Sequence, residues 1–314
     1  MTWLTLLNLR ERLPAGAENT EPDAHVAGGA LVSGGGVSIA DTYAALLQRW
    51  GNRSPFELAV LGGHLASTPG LAFLFGYQAA LRALWPSAPL SLGAICATEQ
   101  RSLRPADLTT RLHNLRLSGQ KDFVTAGHAA DWLLVAARSE AVGEAPRLSL
   151  AVVYPGEVGV RLEALPALPL IPDISHSRLH LDNAACDLLA GDGWDAYVKP
   201  FRSLEDLYVL SALVAWLYGV GQQQQWPHSL QLRLLGLLGG CAEATRQCPD
   251  AAVSHLLLGG LFAQFDALQD DLGVALASGE AASAQMWQRD RGVLTLAASA
   301  RQQRLDKALQ ALGY

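Results

Sequence analysis

The feature that most constrains this fold is a double change in the spacing of apolar residues along the chain. Before about residue 90 and after Trp194, apolar residues recur every three or four positions, as on one face of a helix. Between these regions, short apolar runs and alternations are typical of strands. The pattern predicts an α+β protein with three parts: an N-terminal helical domain (residues 1–90), a middle, barrel-like β-domain (91–185) and a C-terminal antiparallel helical bundle (186–314).

Glycine and proline divide these regions into elements. In the front part, helices are predicted over residues 39–50 and 55–85, the second broken at Pro69-Gly70. Strands are predicted within residues 117–138, 147–165 and 177–183. Rear helices are predicted over residues 203–222, 228–246, 250–277 and 281–312.

Composition excludes several classes of function. With 314 residues, 50% of them hydrophobic, the chain can bury a large core, and its net charge of −6 argues against a nucleic-acid partner. The longest uncharged apolar run, residues 207–221, is shorter than the roughly 18 to 20 residues that cross a bilayer, so it is predicted to be a buried helix. No signal peptide pattern or close cysteine pair is present, and we expect a cytoplasmic protein without a membrane span.

Three candidate sites have simpler interpretations. The glycine-rich stretch at residues 34–36 lacks the lysine of a P-loop and is predicted to be a flexible loop. His176 and His180 could share one face of a strand, but no third metal ligand lies nearby in sequence, so they are interpreted as surface histidines. No GxSxG elbow supports a hydrolase.

Residues 117–138 are the most informative segment. Considered alone, they predict a hairpin with a turn at Ser118-Gly119 and a buried strand over residues 132–136. The segment also resembles the middle domain of the acyl-CoA dehydrogenase family. That family's pattern of glycine-x-lysine, an aromatic-x-threonine and a closing Ala-Arg is matched at Gly119, Lys121, Phe123, Thr125 and Ala137-Arg138.

Flanking segments extend this resemblance over most of the chain. Ala97-Thr98-Glu99 is similar to the family's Thr-Glu-Pro segment, and Leu181-Asp182-Asn183 is similar to its Phe-Asp-Asn-Val strand. The end of the helix at residues 281–312 resembles the family's penultimate long helix. The chain is therefore identified as a shortened, divergent member that lacks the family's C-terminal segment.

The resemblance implies an FAD flavin between the β-domain and the rear helices, with an acyl-CoA or another acyl thioester against its ring. A carboxylate would remove the α-proton while the β-hydrogen leaves as hydride to the flavin. By position in the family pattern, Thr125 would bond the redox edge of the flavin and Thr98 its pyrimidine side. Phe123 and Gln310 would be further cofactor-binding residues.

The resemblance also implies where the catalytic base lies. Most members place their glutamate beyond the penultimate helix, where this sequence has no counterpart. A minority place it in a Leu-Glu-Arg-Leu setting, which Glu205 resembles within Ser203-Leu204-Glu205-Asp206-Leu207. The alternative is that Ser203 caps a helix whose first turn favours acidic residues such as Glu205.

Departures from the family pattern leave more than one function open. Residues 100–105 replace a glycine-serine stretch that approaches the flavin in the family. A non-catalytic subunit of the same fold, which has lost the base and FAD and serves in assembly, therefore competes with the oxidoreductase. A third possibility is a flavoprotein acting on a carrier-bound acyl group, or a monooxygenase. Self-association as a symmetric dimer through the rear helices is expected.

Overall fold

A computed structural model describes residues 2–9, 13 and 38–313 of the chain, so the glycine-rich stretch at residues 34–36 lies outside the described residues. The front helices are α1 (Trp3–Leu6), α2 (Ile39–Trp50), α3 (Pro55–Leu65) and α4 (Pro69–Leu84). The side chains of Ser38, Ser54 and Thr68 cap α2, α3 and α4, and proline opens both α3 and α4. These local signals explain why the predicted break at Pro69 and the predicted bounds of α2 match the structure.

Eight strands form one mixed sheet between the front and rear helices. They are β1 (Gly93–Cys96), β2 (Arg111–His113), β3 (Arg116–Thr125), β4 (Trp132–Arg138), β5 (Leu148–Val153), β6 (Val160–Ala164), β7 (His176–Ala185) and β8 (Asp187–Leu188). The order is β6-β7-β3-β2-β4-β5-β8, and β1 adds to β4 in parallel.

The sheet is curled and buries side chains on both faces. On β4, Leu133 and Val135 belong to a small core inside the curl, whereas Trp132 and Leu134 pack into the large core shared with the helices. Burial on both faces explains why β4 is an uninterrupted apolar run without polar alternation.

The predicted turn at Ser118-Gly119 is wrong, because both residues lie inside β3. The turn between β2 and β3 falls earlier, at Asn114-Leu115, where both residues have positive φ of 48° and 55°. Gly119 has φ of +144°, and a Cβ there would lie 2.6 Å from the Cα of Thr110. The glycine therefore permits a close approach of backbone within the sheet, not a chain reversal.

The rear part begins with a π-helical turn, Trp194–Val198. It continues as α5 (Lys199–Gln223), α6 (His228–Ala244), α7 (Ala252–Asp266), α8 (Gln269–Ala277), α9 (Ala281–Asp290) and α10 (Ala298–Ala311). Helix α5 is central and packs against α3, α4 and α6. A Cβ at Gly63 of α3 would lie 2.1 Å from the carbonyl oxygen of Ala212, so this glycine sets the close contact between α3 and α5.

Two of the predicted rear helices are interrupted. The segment predicted as one helix over residues 250–277 breaks after Asp266 into α7 and α8, and the segment 281–312 breaks at a 3₁₀ turn, Arg291–Thr295. Asp290, fully buried before that turn, accepts a 2.7 Å hydrogen bond from the backbone N–H of Ile171 in the β-domain. Apolar spacing cannot reveal this long-range contact.

Among the described residues, one helical segment, residues 194–223, is long and apolar enough to cross a membrane, but 83% of its most apolar window is buried in the fold. It includes the run predicted as a buried helix, and it forms the centre of the helical core.

Candidate active site

The lysine and glutamate of the family-like motifs form a buried ion pair. The Nζ atom of Lys121 on β3 lies 2.6 Å from Oε1 of Glu99, and the lysine is completely buried. Glu99 also accepts hydrogen bonds from the backbone N–H (2.5 Å) and hydroxyl (2.6 Å) of Thr109. Burial raises the pKa of Glu99, but the charge and hydrogen bond of Lys121 and the bonds from Thr109 outweigh this and lower it to about 2. These two motif residues therefore hold the β-domain together.

A register shift in β3 determines which side chains face the helices. Lys121 and Val124 both point into the small core, although three residues separate them, because the pairing of β3 with β7 shifts between them. Phe123 and Thr125 are consequently directed away from that core, and Phe123 is 47% exposed.

Thr98 follows the end of β1 and lies at the same edge of the sheet as Phe123 and Thr125. Its carbonyl oxygen accepts the backbone N–H of Asp122 at 3.0 Å, which brings the end of β1 next to Phe123. Thr98 and Thr125 are both half-buried. The structure therefore brings together three of the four residues predicted to bind the cofactor.

Tyr77 of α4 links this edge of the sheet to the rear helices. Its hydroxyl accepts the backbone N–H of Ile95 on β1 at 2.9 Å and lies within hydrogen-bonding reach of the Thr125 side chain. Its ring meets Phe201 of α5 edge to face, with 5.7 Å between centroids. Burial and then the negative charge of Glu205 raise the pKa of Tyr77 well above its usual value. Tyr77 thus interacts with Thr125 through a hydrogen bond and with Glu205 through charge. Sequence analysis missed Tyr77 because nothing distinguishes it within an apolar helix.

Glu205 lies in the second turn of α5 and is half-buried. Burial, followed by the charge of Asp206, raises its pKa to about 7, against the opposing effect of Arg304. Within the described part of the chain, its carboxylate forms no hydrogen bond or ion pair. A carboxyl group with a pKa near neutrality and no structural partner has the properties of a general base.

The interpretation of Ser203 as a helix cap is wrong. Helix α5 begins at Lys199 and continues the π-helical turn before it, so Ser203 is buried inside the helix at 2% exposure. Asp206 has a structural role instead, because it accepts hydrogen bonds from Arg301 (2.8 Å) and Arg304 (2.5 Å) and so fastens α5 to α10. Glu205 and Asp206 are therefore adjacent in sequence but have different surroundings, since only Asp206, in the described part of the chain, is paired with arginines.

Of the remaining candidates, His176 lies beside this site, because it pairs with Thr125 across β3 and β7 and its ring meets that of Phe123 edge to face, with 5.9 Å between centroids. Gln310 is exposed in the last turn of α10, and among residues 38–313 no hydrogen bond connects it to Thr98, Thr125 or Glu205. His180 contacts Glu163 at 2.6 Å, and His176 is buried at 6% exposure, which corrects the interpretation of His176 as a surface residue. No group of three metal-ligating side chains occurs among the residues that the structure describes.

The helical front, the curled eight-stranded sheet and the helical rear together are the acyl-CoA dehydrogenase fold. FkbI, described as acting in biosynthesis of the methoxymalonyl extender unit of the Fk520 polyketide, aligns with a TM-score of 0.59 and 17% identity over 99% of this chain and 93% of its own. Butyryl-CoA dehydrogenase from Megasphaera elsdenii aligns with a TM-score of 0.58 and 14% identity, over 81% of each chain.

Flavin-bound proteins share the same architecture. FMN-bound TdsC from Paenibacillus sp. A11-2 aligns with a TM-score of 0.59 and 14% identity, over 80% of this chain and 82% of its own. No protein-family model and no curated protein sequence matches this chain. At such low identity, the structural likeness establishes the fold and leaves the reaction to be argued from the site.

Proposed function

We propose that this protein is a flavin-dependent oxidoreductase of the acyl-CoA dehydrogenase type that acts on an acyl thioester, with Glu205 as its base. The observation that supports this most directly is that Thr125 and Glu205 both act on Tyr77, Thr125 through a hydrogen bond and Glu205 through its negative charge. Two residues that are far apart in sequence, and that the resemblance assigns complementary roles, thus interact with one side chain in the fold. Glu205 also has a pKa near 7, close to the operating pH of a proton acceptor.

The residues at the edge of the sheet fit a flavin ring. Phe123 is a large aromatic side chain left 47% exposed beside two half-buried threonines, Thr98 and Thr125. A flat ring with a polar edge would cover the aromatic surface and engage the hydroxyl groups. FAD bound there would supply the acceptor for hydride and for two electrons.

The chain's own groups would then divide the remaining work. Glu205 would take the α-proton of the acyl group onto its carboxylate. Thr125 would orient the cofactor through its hydroxyl, and Tyr77 would hold Thr125 in place while its hydroxyl remains tied to the N–H of Ile95. The buried rings of Phe201 and Tyr77 would keep water from this side, which would favour proton transfer to a partly desolvated carboxylate.

The non-catalytic subunit is the second candidate, and specific observations favour it. Gln100 and Arg101, in the stretch that replaces the family's glycines, form a tight turn with positive φ of 48° and 64° between Glu99 and Ser102. Gln310 is exposed and, among the described residues, forms no hydrogen bond with Thr125. Self-association stays a prediction, supported by the exposed apolar side chains of Leu232 on α6, Val274 on α8 and Leu296 in the turn before α10.

Flavin binding is the experiment that tests the proposal first. The purified protein, mixed with FAD, is expected to show the visible absorbance bands of oxidised flavin and an increase in melting temperature. Thr125→Val keeps the shape of a β-branched strand residue but removes the hydroxyl, so FAD affinity is expected to fall by about tenfold. Titration by flavin fluorescence measures this.

Thr245→Val, at the end of α6, is the matched control and should bind FAD like the unchanged protein. If neither absorbance nor melting temperature responds to FAD, the oxidoreductase is ruled out and the non-catalytic subunit is supported.

The pH dependence of flavin reduction tests the role of Glu205 separately. A base must be ionised, and the pKa of Glu205 is raised from 4.5 to about 7, so the reactive form is lost as the pH falls below 7. The rate of reduction by an acyl-CoA is therefore expected to fall by about tenfold for each pH unit below that point. A rate that stays constant down to about pH 5 would show that an ordinary carboxylate, or none, is the base.

A further inference from the structure

The loop between β6 and β7 ends at His176, which lies beside the residues of β3 that are predicted to bind flavin. His176 and Thr125 are opposite each other in the antiparallel pair of β7 and β3. The carbonyl oxygen of His176 accepts the backbone N–H of Leu165 at 2.9 Å, so its backbone hydrogen bonds are directed away from β3. The side chains of such a pair approach each other closely. His176 therefore lies on the same face of the sheet as Thr125.

The imidazole ring of His176 supports the exposed ring of Phe123. Their centroids are 5.9 Å apart and their planes meet at 70°, which is an edge-to-face contact. His176 is only 6% exposed, whereas Phe123 is 47% exposed. An exposed aromatic side chain exchanges rapidly among its rotamers unless a fixed neighbour restricts it. The buried histidine is such a neighbour, and it limits the orientations that the ring of Phe123 can adopt.

The side chain of His176 contributes to this contact as a neutral aromatic ring. Burial lowers the pKa of His176, and the backbone of Ile174 opposes this shift more weakly, so the imidazole is mostly neutral at pH 7. Its Nδ1 atom is buried and finds no partner of good hydrogen-bond geometry among the described residues. The imidazole is therefore held mainly by packing, and its ring is the part that Phe123 contacts.

The loop that leads into His176 is fastened to both helical parts of the protein. The backbone N–H of Ile171 donates to the fully buried Asp290 at the end of α9 (2.7 Å), and the hydroxyl of Thr68 before α4 donates to Asp173 (2.5 Å). Ile171 has a φ of +46°, a left-handed conformation that is rare and costly for a β-branched residue. Such strain persists only where surrounding contacts impose it. These contacts fix the position at which the chain enters β7.

From these observations we propose that His176 is a positioning residue of the cofactor site, which holds the ring of Phe123 in the orientation that receives the flavin. This inference rests on the proposed function, because it requires a flavin ring against Phe123. A side chain that is already held loses little conformational freedom when a ligand binds, and such preorganisation increases affinity. Because His176 itself is almost fully covered, it acts through Phe123.

A double-mutant cycle in FAD affinity, measured by flavin fluorescence on the full chain, tests this role. His176→Leu removes the aromatic contact and is expected to weaken FAD binding by about fivefold, the magnitude of one aromatic pair. In a Phe123→Leu background the same substitution should change the affinity by less than about twofold, because no ring is left to position. His176→Phe restores an aromatic ring and should recover most of the affinity. His113→Leu, at an exposed histidine of β2, is the matched control and should bind FAD like the unchanged protein.

Equal weakening by His176→Leu in both backgrounds would overturn the inference, because it would indicate a general effect on the β-domain. An unchanged FAD affinity of His176→Leu would overturn it as well. Melting temperatures without FAD show whether each variant is folded, and if His176→Leu is not, His176→Met takes its place in the cycle. If the unchanged protein binds no FAD, the proposed function fails and this inference fails with it. If FAD binds and the two substitutions are additive, only the role of His176 is refuted.

Discussion

Glu205→Gln is expected to lower the rate at which an acyl-CoA reduces the bound flavin by roughly 10²- to 10⁴-fold, the usual contribution of a positioned general base. Glutamine has nearly the same shape but cannot accept the proton. Because Glu205 has no hydrogen bond or ion pair in the described part of the chain, the substitution should leave the fold and the flavin affinity intact. Anaerobic stopped-flow measurement of flavin bleaching gives the rate, and flavin titration gives the affinity.

Glu243→Gln on the exposed side of α6 is the control for removal of one negative charge, and it should reduce flavin at the unchanged rate. Asp206→Asn, at the position next to Glu205, distinguishes a structural effect from a catalytic one. It removes the carboxylate that receives Arg301 and Arg304, so we expect lower thermal stability there and not in Glu205→Gln. Unaltered flavin reduction by Glu205→Gln would exclude this residue as the base.

Lys121→Met is expected to lower the free energy of unfolding by about 3 to 5 kcal/mol, because it leaves the buried carboxylate of Glu99 without its cation. Methionine approximates the length of the lysine side chain, so the effect reports lost charge compensation more than lost volume. Urea unfolding followed by circular dichroism measures the change.

The double variant Lys121→Met/Glu99→Gln is the matched control, since it removes both charges and retains an oxygen that can accept from Thr109. It should recover much of the lost stability, because replacing a buried ion pair by neutral groups costs less than breaking it. If the single variant costs less than about 1 kcal/mol, the pair contributes no more than a surface salt bridge and does not hold the β-domain together.

Local patterns predicted the elements whose boundaries are set by neighbouring residues. The bounds of α2 and the break at Pro69 follow from caps and prolines that act within one helical turn. The alternation from helix to strand to helix likewise predicted the fold class. Gly119 was misinterpreted as a turn residue because the backbone it accommodates belongs to Thr110, on another segment of the sheet.

For the candidate site as well, some features could be predicted from the sequence and others only from the fold. Thr98, Phe123, Thr125 and Glu205 could be selected from a resemblance in sequence, but not their mutual arrangement. Tyr77 could not be found, since its role arises only when α4 packs between the sheet edge and α5. The sequence also could not predict that Gln310 is exposed, because its exposure depends on how α10 packs.

By itself the sequence determined the order of helices and strands, since hydrophobic spacing and caps act over a few residues. Tertiary structure alone decided the surroundings of the candidate polar groups. It partly buried Glu205 and raised its pKa, and it turned the adjacent Asp206 toward two arginines. Burial and charge depend on distances in space, which residues far apart in sequence acquire only when the chain has folded.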